Sequence, residues 1–186
     1  DGTPTTLPTC PVIWGEPGNN AQHSFFQLLH QGTQRAALDF LLPINSSCAS
    51  QSQQDLAIAN CLAQAEALAL GKDADEVRAD LTRQKLAPER LAALLPHKIH
   101  QGNRPLSLLL FERLDPATLG RVIALYEHKV FVQSVAWGNN AFDQWGVELG
   151  KTLCESFIPL VQKPDSVTGQ SSSLMGALSY VKRWRD

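Results

Sequence analysis

Apolar residues along this chain fall into two kinds of run. The first kind is short and nearly continuous. Ala36 to Leu42 is interrupted only by Asp39 and closed by Pro43, and Leu106 to Leu110 only by Ser107. Such runs suit strands covered on both faces in a parallel sheet. The second kind repeats with helical spacing: Phe25, Phe26, Leu28 and Leu29, stopped by Gly32, then Ile58, Leu62, Ala65 and Ala69. Ser52 and Asp55 supply a Ser-x-x-Asp capping pattern ahead of the latter helix, and Gly71 stands where a left-handed C-cap belongs. Two shorter helices follow from Ala74 to Gln84 and from Pro88 to Leu95, the second with proline at its favoured first position and ended by Pro96. Asp115-Pro116 opens a helix reaching about Gln133. Phe142 to Leu160 and Leu174 to Trp184 form the last two. Val12 to Trp14 reads as a short strand, Ser134 to Trp137 as a strand or an extended connector, and the first eleven residues as a loop. Alternating strands and helices define an α/β protein, a three-layer αβα sandwich with a mainly parallel sheet.

Composition narrows the function classes. The 186 residues are 44% hydrophobic, enough for one domain with a real core. Sixteen Lys and Arg against eighteen Asp and Glu leave a net charge of -2, so no basic excess exists to neutralise nucleic acid or an anionic membrane. No apolar run reaches the roughly 20 residues that span a bilayer, and the chain reads as soluble. Cys10, Cys48, Cys61 and Cys154 form no Cys-x-x-Cys pair; they read as reduced, mostly buried thiols in a cytosolic protein, not as metal ligands.

Two places could carry chemistry. On a helix starting near Phe142, Gln144, Glu148 and Lys151 share one edge at i, i+4 and i+7, while Trp145, Leu149 and Leu153 form the packing stripe. The same spacing fits an exposed helix face with a Glu148–Lys151 ion pair. His23 lies three residues after Asn20, a candidate N-cap. That puts its imidazole in a first helical turn, where the dipole favours the neutral ring. A histidine packed against its own loop is the plainer reading. Gly15-Glu16-Pro17-Gly18 is neither a Walker nor a dinucleotide pattern.

Taken together, however, these stretches resemble a known family. Val12-Ile13-Trp14-Gly15-Glu16-Pro17-Gly18-Asn19-Asn20-Ala21-Gln22-His23-Ser24-Phe25 is similar to a segment of the phosphoglucose isomerases. Leu28 to Gly32, Asp39 to Pro43, Gly102-Asn103-Arg104-Pro105, Tyr126-Glu127-His128-Lys129 and Phe142 to Lys151 match later family segments in the same order. The resemblance spans nearly the whole chain, residues 1–186, as the C-terminal sugar isomerase (SIS) region of a longer protein. Asn19 and Ala21 depart from the Thr and Gly usual in the family.

The resemblance implies interconversion of glucose 6-phosphate and fructose 6-phosphate through an enediol(ate), in glycolysis and gluconeogenesis, with no metal or organic cofactor. It implies that His23 assists opening of the sugar ring, that Lys151 stabilises charge near the ring oxygen, and that Gln144 contacts the substrate near its phosphate end. Glu148 inherits no role. The family's general base is a glutamate in a Glu-Ser-Asn-Gly motif that these residues lack, so the N-terminal remainder of the protein is an expected partner and the chain alone is expected to be inactive. A cytoplasmic homodimer is expected. The alternative is a non-catalytic, sugar-phosphate-binding regulatory domain of the same fold.

Overall fold

The computed structural model describes residues 3–46, 50–163 and 168–185. The chain divides into two compact units, Thr6–Lys129 and Val130–Asp186 with Asp1–Thr5.

The first unit runs α1 (Gly18–Ser24), α2 (Phe26–Gln31), β1 (Leu38–Asn45), α3 (Gln51–Leu70), α4 (Ala74–Arg83), α5 (Pro88–Lys98), β2 (Leu106–Arg113) and the start of α6 (Pro116–Trp137). β1 and β2 pair in parallel, from Leu38 opposite Leu106 to Asn45 opposite Arg113. A parallel pair needs a long crossover, and α3 to α5 provide it. Successive strand residues point to opposite faces. Leu38, Phe40 and Leu106 pack on a core of Ala21, Phe26, Leu29 and Leu68 from α1, α2 and α3. Asp39 faces the other way and accepts hydrogen bonds from Tyr126 Oη (3.0 Å) and Lys129 Nζ (2.8 Å) of α6. Helices therefore stand on both sides of the sheet, as an α/β sandwich requires.

The strands themselves differ from expectation. They are not covered throughout on both faces: Leu41 is 44% exposed and Leu110 56%. Pro43 does not close β1 but lies within it, opposite Phe111. Leu38 N–H bonds to Pro105 O across the pair, so position 43, five residues on, turns its backbone away from β2. There a missing N–H costs no ladder bond, and the outward Pro43 carbonyl is taken by the buried Gln54 amide at 2.8 Å.

α3 opens two residues earlier than the Ser52 pattern indicated. Ser50 is the N-cap, and its side chain and that of Gln53 form a reciprocal capping box; glutamine serves at the third position as well as glutamate. At the other end Gly71 has the expected positive φ, 74°, but its ψ of -156° lies outside the left-handed helical region. The reason is a crossing of backbones. A Cβ on Gly71 would stand 2.3 Å from His100 O, and one on Gly102 (φ 63°) 2.4 Å from Leu70 O. Through this contact Asn103 N–H reaches Ala69 O at 2.7 Å and Arg104 N–H reaches Leu68 O at 3.1 Å, satisfying carbonyls a helix end leaves open.

Two further expectations are corrected. α5 passes through Pro96 to Lys98, because so near the C-terminus the proline spoils only a last turn; the carbonyls of His97 and Ile99 are held by the Gln31 amide at 3.0 and 2.9 Å. Val12 to Trp14 forms no strand; Val12 and Ile13 are more than 80% exposed.

The second unit holds the end of α6, α7 (Trp145–Gln162) and α8 (Ser172–Arg185). Ser134 to Trp137 is neither strand nor connector but the last turn of α6, which Gly138 ends at φ 70°. Its β-like Val and Trp were outweighed by continuity of the helix, a usual limit of local propensity. Leu178 of α8 is buried, and Arg185 donates to Val161 O at 3.1 Å. Cys10, Cys61 and Cys154 are free, as expected, yet Cys10 and Cys154 are exposed and Cys61 is only half-buried; Cys48 lies outside the described residues. Among the described residues no helix is long and apolar enough to cross a membrane.

The hydrogen bond from Lys129 holds the Asp39 carboxyl below the ordinary carboxylate range, against partial burial, with Tyr126 adding to it. A depressed folded-state pKa contributes stability that is complete above the unfolded value and is lost as pH falls through the folded one. Asp39→Asn is expected to cost about 1 kcal/mol at pH 7, the difference from the parent fading in urea melts as pH falls through the lowered folded-state pKa. Gly102→Ala, which strains φ and meets backbone, should cost more than about 3 kcal/mol in the same assay.

Candidate functional site

His23 is placed by the packing of its neighbours. Pro17, extended at φ -53° and ψ 134°, is the N-cap of α1, and its carbonyl accepts from Asn20 and Ala21 N–H at 2.9 and 3.0 Å. Asn20 therefore lies inside the helix and caps nothing. Ala21 is buried and Phe26 and Leu29 follow into the core, while His23 points outward and is exposed. It sits in the last turn of a seven-residue helix, not in a first turn at the positive end of a dipole. No helix dipole favours the neutral ring of His23 as expected, because with Pro17 as N-cap the helix begins three residues earlier than Asn20 would have started it. The hydroxyl of Ser24 donates to Glu16 Oε2 (3.0 Å) or to Asn20 O (3.1 Å), tying the Gly15–Gly18 loop to α1.

In the second unit, Gln144 is the N-cap of α7 and not a helical residue; φ is -152° and ψ 37°. Its carbonyl accepts from Val147 N–H at 2.8 Å and Glu148 N–H at 3.1 Å. The residues before it are held by an Asx turn, Asn140 Oδ1 accepting from Phe142 N–H at 3.0 Å. Glu148 stands in the first turn, where a carboxylate suits the positive helix end. Lys151 lies one turn on, on the same edge. Among the described residues the two form no ion pair, consistent with the side-chain entropy such an exposed pair must overcome. The stripe expected to pack does not: Trp145 is 73%, Leu149 61% and Leu153 44% exposed. Among the described residues nothing outside α7 itself would lie within 4 Å of a Cβ at Gly146 or Gly150.

Gln144, Glu148 and Lys151 thus share the start of one helix, and His23 belongs to the other unit. An open cleft of about 630 Å³ along β2 and α6, reaching Arg113, Asp115 and Arg121, includes none of these four. Sequence reasoning missed four side chains that organise the first unit. Asp39 was read only as an interruption, Tyr126 and Lys129 only as motif letters, and Arg104, 7% exposed, only as part of Gly-Asn-Arg-Pro. A charged residue inside an apolar run was the available signal for Asp39. Among the described residues no group of three or more His, Cys, Asp or Glu could hold a metal.

A parallel β-α-β pair with helices on both faces defines the α/β class, and a solved structure of the sugar isomerase (SIS) type shares its fold. A crystal structure of a glucose-6-phosphate isomerase from Chlamydia trachomatis matches it with a TM-score of 0.66 and 34% identity, over 94% of this chain and 30% of that one. The model of the family described as phosphoglucose isomerase matches residues 1–178, and the chain belongs to that family. Among its relatives, the glucose-6-phosphate isomerase of Xanthobacter autotrophicus is 48% identical over 185 residues, 97% of this chain and 34% of that protein. That of Methylocella silvestris is 52% identical over 184 residues, 99% of this chain and 34% of the relative. The chain spans about a third of the length of these relatives.

Glycine in an exposed helix interior costs about 1 kcal/mol relative to alanine. With no atom of the described residues beyond its own helix near a Cβ at that position, Gly150→Ala should raise the stability of this 186-residue chain by about 0.5–1 kcal/mol in urea melts. A loss instead would mean that the Gly150 face is filled by part of the chain.

Proposed function

We propose that residues 1–186 are the C-terminal sugar isomerase (SIS) region of a cytoplasmic, homodimeric glucose-6-phosphate isomerase, acting without metal or organic cofactor between glucose 6-phosphate and fructose 6-phosphate in glycolysis and gluconeogenesis. The observation that carries this is the family match over residues 1–178, with His23, Gln144 and Lys151 all at solvent-open positions inside its motifs.

In this reading His23 moves a proton to or from the ring oxygen and the C1 hydroxyl, work that imidazole does near neutral pH. Lys151 places a compact ammonium where charge develops at the ring oxygen. Gln144 contacts the substrate toward its phosphate, and Glu148 supports the helix start. The proton shuttle between C1 and C2 falls to a glutamate in the portion of the relatives' length that this chain does not span, so these residues hold the ring-opening half of a site. The exposed stripe of Trp145, Leu149 and Leu153 supports the reading, since apolar faces of this kind are covered by further protein.

In the full-length protein, His23→Ala and Lys151→Ala should each slow turnover of the cyclic sugar by about 10²–10⁴-fold and turnover of an open-chain analogue far less. Equal losses on both substrates would remove the ring-opening roles. Full activity in both variants would favour a non-catalytic regulatory domain that binds sugar phosphates.

A further inference from the structure

Among the described residues Arg104 is the charged side chain that the core buries, and the family resemblance gives it no role. Its side chain is 7% exposed, and its Nε is buried without a hydrogen-bond partner. One guanidinium nitrogen, Nη2, donates to His30 O at 2.7 Å and to Gly32 O at 3.3 Å. These carbonyls lie at the C-terminal end of α2, where the helix leaves acceptors open and presents its negative end to a cation. No carboxylate pairs with Arg104 among the described residues.

A buried charge of this kind is poor value as a source of stability. Desolvation offsets most of what the contacts supply, and an apolar residue of equal volume is often neutral or better. What the guanidinium adds is direction. Arg104 N–H is fixed to the carbonyl of Leu68, a fully buried residue in the last turn of α3, so the side chain is a strut between the end of α3 and the end of α2. Nearby, His30 Nε2 lies 3.3 Å from Gln64 Oε1 of α3, but that single contact does not hold the backbone of α2. α2 follows α1 with only Phe25 between them, and Phe25 N–H bonds back to Ala21 O at 3.0 Å. A shift of α2 would therefore be carried into α1 and to His23.

We propose that Arg104 is a positioning residue for His23: by gripping the α2 terminus it sets where the imidazole stands for sugar-ring opening. This rests on the ring-opening reading above. A displacement of about 1 Å at a catalytic group can cost about 10²-fold in rate, so the strut acts through geometry with little demand on stability.

The test uses the full-length enzyme with Arg104→Met, which keeps the volume and removes the donors, and Arg104→Lys, which keeps one charged donor. The melting temperature of Arg104→Met should stay within about 5 °C of the parent. Its kcat on the cyclic sugar should fall about 10- to 100-fold with KM nearly unchanged and turnover of the open-chain analogue within about 2-fold. Arg104→Lys should recover part of the loss. In the His23→Ala background the Arg104→Met loss should disappear, since residues acting as a unit are not additive. Additive losses, or equal losses on both substrates, overturn the positioning role even if His23→Ala behaves as expected. Should His23→Ala itself slow both substrates equally, the ring-opening reading falls, and the double-variant comparison still decides whether Arg104 acts through His23. If Arg104→Met does not fold, the same comparison is made with Arg104→Lys.

Discussion

The end of α3 is the constraint on which the first unit depends. Leu68 is fully buried in the last turn of this twenty-residue helix, and the carbonyls that a helix end leaves open need donors from elsewhere in the protein. They find them in the backbone of Asn103 and Arg104. That solution is possible only because two glycines, Gly71 and Gly102, let the chains cross with no room for a Cβ. Once the crossing is made, Leu106 is delivered beside Leu38 and the parallel register is set. Arg104 is delivered to the end of α2 at the same time.

The sheet built from this crossing has two unlike faces. One carries Leu38, Phe40 and Leu106 into the aromatic core, where Phe26 meets Phe40 edge to face at 6.3 Å between ring centres. The other carries Asp39 to Tyr126 and Lys129. A charged residue in the middle of an apolar strand is thus the tie between sheet and α6. The cost of removing it partly from water is offset by two donors that favour its ionised form. β1 also ends its usefulness as an edge at Pro43, whose outward carbonyl is already bonded to Gln54, a feature that discourages pairing with another strand.

The residues assigned to chemistry share one property, which is that packing leaves them open. His23 projects from a helix whose Ala21 is buried, and Lys151 from one whose large apolar residues are themselves exposed. Neither lies in an enclosed pocket of its own unit. For a chain that spans about a third of its relatives' length, open chemistry beside open apolar surface fits a site completed by other protein, as the proposed function has it.

Much of this was legible in the residues alone. Two β runs, six of the eight helices among the described residues close to their observed ends, the glycine stops and the family motifs all rest on local periodicity or on side-chain identity, which neighbours in sequence determine. Errors arose where distant parts compete for the same backbone. Pro43 and Pro96 read as terminators, yet each lies where the lost N–H has no partner to lose or only a last turn to spoil. Ser52 read as the cap, whereas Ser50, assigned to the loop before it, holds that place. Ser134 to Trp137 looked extended until α6 was seen to run through it. Asn20 was assigned a capping role that Pro17 holds. The Gly71–Gly102 crossing, the grip of Arg104 on α2 and the Asp39 tie join residues between 31 and 90 positions apart. No spacing rule reaches that far, because such contacts form only when burial and hydrogen-bond satisfaction are settled for the whole unit at once.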